Sequence, residues 1–227
     1  MKFARGLLFV MSAAVLAYPS SDTAARERPM SAKAVRLKAL DLQNAASVRL
    51  ANAEREVQQL ALQDVFSAAA LTSRAGIERG HAALGSLRTL VATREAALDY
   101  HAVRFDWLKK SAATPDGVAT LASIEPAMMQ THSLQRALDK ARLQVADAGD
   151  AVLAWAQAQG DSITLEAGRI KMKSPEQQAA FDSVFKPLQL AMSNHERAVV
   201  AAEKQRKANH GHLRASDAPP HLPMPKR

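Results

Sequence analysis

Residues Ile77 to Leu108 read IERGHAALGSLRTLVATREAALDYHAVRFDWL, and the rhythm of this stretch decides the fold class. Ile77, Leu84, Leu87, Val91, Leu98, Phe105 and Leu108 recur at spacings of seven, three and four. One face of an α-helix produces that stripe, whereas a strand would alternate in twos. The residues between are mostly Ala, Arg, Leu and Glu, which favour helix. The helix is expected to end near Lys110, and Thr72-Ser73 with Gly76 and Gly80 marks a weak spot at its start.

Similar stripes flank it. Upstream, Ser31 can cap a helix running to about Ala70, with Val48, Leu50, Val57, Leu60 and Val65 inward and Glu54-Arg55-Glu56 as a solvated face. Downstream, Thr114-Pro115-Asp116 places a capping hydroxyl before a proline at the first helical position. Met128, Leu134, Leu138, Val145, Val152 and Trp155 carry that helix to about Gln159, with Pro126 expected to kink or divide it. After Gly160 the period changes to two: Ile163 and Leu165, then Ile170 and Met172, alternate with polar residues around Ala167-Gly168, a β-hairpin signal. Its outward face carries Arg169, Lys171 and Lys173. Ser174-Pro175-Glu176-Gln177 starts a last helix to about Ala208, with Phe181, Phe185, Leu188 and Met192 inward and Pro187 expected to kink it. The expectation is an all-α protein: an elongated antiparallel bundle of about four long helices, coiled-coil in character, with one short β-hairpin near residues 162–173. The bundle domain is expected to span residues 26–209.

The ends read differently. Lys2 and Arg5 precede an apolar run from Leu7 to Ala17, the pattern of a cleavable secretory signal, and residues 1–25 are assigned to it. No later stretch suits a transmembrane span. There is no cysteine, which excludes disulfides, thiolate metal sites and a lipid-modified cysteine after the signal. Residues 210–227 hold four prolines and no periodicity, and are expected to be a disordered basic tail.

The net charge of +8 is unevenly spread. Residues 26–50 hold six Lys/Arg against two Asp/Glu, a net +4. Residues 204–227 hold six against one, a net +5, with Lys204, Arg206 and Lys207 at their head. Residues 51–203 hold sixteen against eighteen, a net −2. Nucleic-acid binding would call for a basic face on the folded body. Basic ends either keep the chain soluble as solvated charge or suit an anionic envelope surface.

From Phe105 to Leu188 the order of features is Phe105-Asp106, Ala113-Thr114-Pro115, Ile124-Glu125-Pro126-Ala127, Ala158-Gln159-Gly160, Gly168-Arg169-Ile170, Ser174-Pro175-Glu176-Gln177-Gln178-Ala179 and Lys186-Pro187-Leu188. This order resembles the enterobacterial envelope-protein family of unknown function typified by the YiaF lipoprotein. The resemblance implies a place in the cell envelope and no activity; its lipid-attachment cysteine has no counterpart here.

Three patterns could carry metal chemistry. Glu78-x-x-His81 has the spacing of a di-iron ligand pair, but a ferritin-like centre needs a second such pair, and none is present. Met129-x-x-His132 and Met192-x-x-His195 combine thioether and imidazole, which suit Cu(I). His210, His212 and His221 could hold a metal weakly from the tail. No glycine-rich phosphate loop or nucleophile elbow is present, so no cofactor and no catalysis is expected. The expected function is that of an exported, periplasmic, non-enzymatic interaction or structural protein, with an envelope protein or an anionic envelope surface as partner. The alternative is a periplasmic copper-binding protein using Met129, His132, Met192 and His195.

Overall fold

The structure, a computed structural model, describes residues 30–112 and 114–216, with side chains through residue 208. Residues 1–25, expected to be a secretory signal, and residues 217–227 of the expected tail lie outside the described residues. The first helix, α1, covers Ala32–Gln59, and the Ser31 hydroxyl accepts the Ala34 N–H at 3.3 Å. It was expected to continue to about Ala70. Instead Ala61 turns left-handed at φ 44°, and two single-turn helices follow, α2 (Leu62–Val65) and α3 (Ala68–Leu71). Val57, Val65 and Leu71 are all buried, whereas one straight helix would set Val65 about 80° round from Val57 and about 120° from Leu71. Breaking the chain turns all three inward.

Helix α4 (Arg74–Ser111) is capped by Ser73 onto Gly76, and α5 (Pro115–Gln159) by Thr114 onto Gly117. Pro126 does not divide α5, which is continuous over its 45 residues, about 68 Å. A 3₁₀ turn (Gly160–Ser162) leads into β1 (Thr164–Glu166) and β2 (Arg169–Lys171), paired antiparallel with Leu165 opposite Ile170. Ala167 and Gly168 both take positive φ at the turn, 48° and 77°, the signature of a two-residue type I′ hairpin. Helix α6 (Pro175–Ser216) passes Pro187 unbroken. It also runs past Ala208, so residues 210–216, expected in the disordered tail, are helical; the first tail proline comes only at Pro219.

The result is an all-α antiparallel bundle of four long helices with one small hairpin. On α4 the buried line is Ile77, Gly80, Leu84, Leu87, Val91, Arg94, Leu98, His101, Phe105 and Leu108. The spacing alternates three and four throughout, the pattern of a coiled-coil seam. α5 answers with Leu138, Arg142, Val145, Gly149, Val152 and Ala156 at the same alternation.

This seam buries two apolar clusters. One, toward the hairpin, gathers Val57, Leu84, Val91, Val145, Leu153 and Leu188 with their neighbours. The other, at the opposite end, gathers Val35, Ala39, Phe105, Leu108, Ala112 and Leu121. On α1, α4 and α5 alike, the charged residues Glu54, Arg94, Asp139 and Arg142 fall between the two sets. A polar layer therefore divides the core.

Candidate functional site

Arg94 and Arg142 are each 1% exposed and Asp139 is 0% exposed. Arg94 donates from Nε to Asp139 Oδ1 at 2.6 Å, from Nη2 to Gln135 Oε1 at 2.6 Å and from Nη1 to the Leu50 carbonyl at 3.3 Å. Arg142 donates to the same Asp139 oxygen at 3.2 Å, and its Nη2 reaches both Glu54 oxygens at 2.6 and 2.7 Å. Two guanidiniums and two carboxylates balance, and they tie α1, α4 and α5 at one level. Burial pushes the Asp139 carboxyl above its ordinary value, against the pull of the two guanidiniums. Asp139 Oδ2, Arg142 Nε and His195 Nε2 are buried without a hydrogen-bond partner. The Glu54-Arg55-Glu56 run is thus not simply a solvated face: Glu54 is only partly exposed and closes the layer.

Two turns along α4, His101 Nδ1 meets His132 Nε2 of α5 at 2.7 Å, with the rings edge to face. One nitrogen donates and the other accepts, so the two rings are not both protonated. Burial first, then the neighbouring imidazole, lowers the His101 pKa to about 4. Burial also lowers that of His132, assisted by Arg136.

Outside this pair, α1 and α4 line a groove of about 370 Å³. Leu42, Ala45, Ala97 and Leu108 give its apolar floor, with His101 beneath. Lys38, Arg49 and Arg104 stand at the rim with Asp41. Aromatic rings hold the cations in place: Lys38 Nζ lies 5.5 Å and the Arg104 guanidinium 5.0 Å from the centre of the Trp107 ring, and Arg49 lies 5.3 Å from that of Tyr100. Among the described residues none of these three cations forms an ion pair. Their neighbours further along do: Arg88 with Asp147 and Asp150, Arg136 with Asp99, Lys109 with Glu125.

No protein-family model, curated protein or solved structure matches this chain. The site has to be read from its own chemistry. Met129 and His132 do not share one environment. Met129 is 56% exposed, whereas His132, one turn on, is buried against His101. Met192 and His195 are half-buried on α6, and burial lowers the His195 pKa. Glu78 pairs with Arg74 and His81 with Asp150. Among the described residues no group of three His, Asp or Glu converges as a metal site would require. Arg169, Lys171 and Lys173 are exposed on the hairpin, where Lys171 pairs with Glu166 at 2.6 Å. Lys204, Arg206 and Lys207 are exposed on α6.

The sequence reading missed the groove and the polar layer. The signal for the layer was present, because Arg94 and His101 occupy seam positions of the α4 stripe. Nothing in the sequence marks the groove, which depends on how α1 and α4 sit side by side.

Proposed function

We propose that the chain is an exported, non-enzymatic envelope protein that acts by contact, held against an anionic surface by one end of its bundle. One observation supports this reading: the antiparallel topology gathers the two basic segments of the sequence. The start of α1 sits beside the start of α5, where the Thr114 hydroxyl donates to the Met30 carbonyl at 3.3 Å and Val35 packs with Leu121. Lys33 and Arg36 are exposed there. Measured from the hairpin at 1.5 Å per residue, Lys204 to Lys207 come about level with residues 127–130 of α5, toward that same end. Among the described residues no helix is long and apolar enough to cross a membrane. Contact would therefore be electrostatic, about 1 kcal/mol for each cation near the surface and screened within a Debye length. The resemblance to envelope proteins and the secretory signal support the compartment.

Cosedimentation with anionic and neutral vesicles tests the reading. The parent is expected to bind only anionic vesicles and to release them as salt rises from about 50 to 300 mM. Lys204→Gln, Arg206→Gln and Lys207→Gln together are expected to remove most of the binding. Binding that ignores salt, or that survives these changes, contradicts the proposal.

A further inference from the structure

We propose that the α1–α4 groove binds an acidic peptide segment. The cations are positioned before any partner arrives. Trp107 carries Lys38 and Arg104, and Tyr100, two turns away, carries Arg49. Ring contact restrains long side chains that would otherwise lose rotamer freedom on binding. The two cation stations are about 10 Å apart along α4, since seven residues rise about 10.5 Å. Three residues of a peptide in the polyproline II conformation make one full turn and rise about 9 Å, which brings the side chains of i and i+3 to one face. Carboxylates at i and i+3 of such a segment would meet both stations, while the groove's apolar floor accepts the side chains between them.

Charge complementarity favours this occupant. Three rim cations face one carboxylate, Asp41, and none is engaged by an acidic partner among the described residues. The groove is concave between two helices, which suits a chain better than the flat face of a bilayer. Lys204 to Lys207 lie on α6 and do not line the groove, so the two contacts can be tested apart.

The two tryptophans make the test site-specific, since Trp107 borders the groove whereas Trp155 packs on the apolar cluster toward the hairpin. Nitrogen-15 spectra of the full chain are recorded while oligoglutamate is added. The indole N–H of Trp107 is expected to shift in a saturable way and that of Trp155 to stay. Arg49→Gln with Arg104→Gln is expected to weaken binding about tenfold or more, as loss of two charge-assisted contacts does. Lys204→Gln, Arg206→Gln and Lys207→Gln together are expected to change it less than about twofold, the scale of a remote screened charge. Absence of a Trp107 shift at millimolar peptide overturns the proposal, as does equal weakening in both variants. A Trp107 shift produced by anionic vesicles and not by oligoglutamate overturns it too, and would assign the groove to lipid.

Discussion

At the scale of single residues, burial of charge separates this core from an ordinary apolar seam. Asp139 accepts from two guanidiniums, so Asp139→Ala leaves Arg94 and Arg142 buried with one carboxylate between them. The expected loss is about 3–5 kcal/mol in denaturant unfolding, the cost of breaking a buried pair from one side. His101 supplies the pH dependence. Its pKa is 6.5 in an ordinary setting and about 4 in the fold, so the folded chain resists a proton that the unfolded chain accepts. At pH 7 the residue is mostly neutral in both states and contributes little pH dependence. As pH falls through 6.5 the unfolded state is favoured, and at pH 5 the cost is about 2 kcal/mol. His132 and His195 push in the same direction. His101→Phe is therefore expected to flatten the stability profile between pH 7 and 5, which unfolding curves at several pH values would read. An unchanged slope would show that His101 titrates alike in both states. These residues were legible in position but not in role. Arg94 and His101 continue the three-and-four alternation of α4, but charged side chains usually mark a solvated face, and that habit hid them.

At the scale of elements, the helices and the hairpin followed from spacing and caps, because those signals are local. Ser31, Thr114 and the Ser174-Pro175 start act where they stand in the chain. The turn is equally local: both its residues have positive φ, and a Cβ at Gly168 would meet nothing within 4 Å. Gly168→Val therefore costs backbone strain alone, about 1–3 kcal/mol. Ala167→Asn is expected to gain about 0.5 kcal/mol, since asparagine tolerates the left-handed region better than alanine. Thermal melts of the pair check both signs. The break after α1 was not legible, because tertiary packing drives it. Phe66 lies between α2 and α3 and presses onto α5 at Gly149, where an added Cβ would come within 2.6 Å of the ring. Gly149→Ala should cost about 1–3 kcal/mol through overpacking. Adding Phe66→Leu should recover part of that loss, and if it recovers none, the ring is not what the new methyl meets.

At the scale of the whole molecule, an antiparallel bundle could be read from four amphipathic stretches, but not what holds its helices in register. Seams rich in alanine and leucine offer similar packing after a slide of seven residues, about 10.5 Å. The apolar clusters at either end oppose such a slide only weakly, because neighbouring heptads present similar side chains. The polar layer opposes it strongly. Arg94 finds Asp139 and Gln135 on α5, and Arg142 finds Glu54 on α1, at one level only. Any shift would leave two buried guanidiniums facing leucine and alanine. The layer therefore specifies register more than it adds stability, since well-packed apolar replacements of buried ion networks are often neutral or stabilising by about 1–4 kcal/mol. Replacing the four charges together, by Glu54→Leu, Arg94→Met, Asp139→Leu and Arg142→Met, is expected to give a chain that melts at or above the parent temperature. Its amide resonances should double as alternative registers become populated. The single Asp139→Ala change should do the opposite, keeping one register while losing stability. A fourfold variant that unfolds more easily than Asp139→Ala, or that keeps one sharp set of resonances, would assign register to the apolar clusters instead.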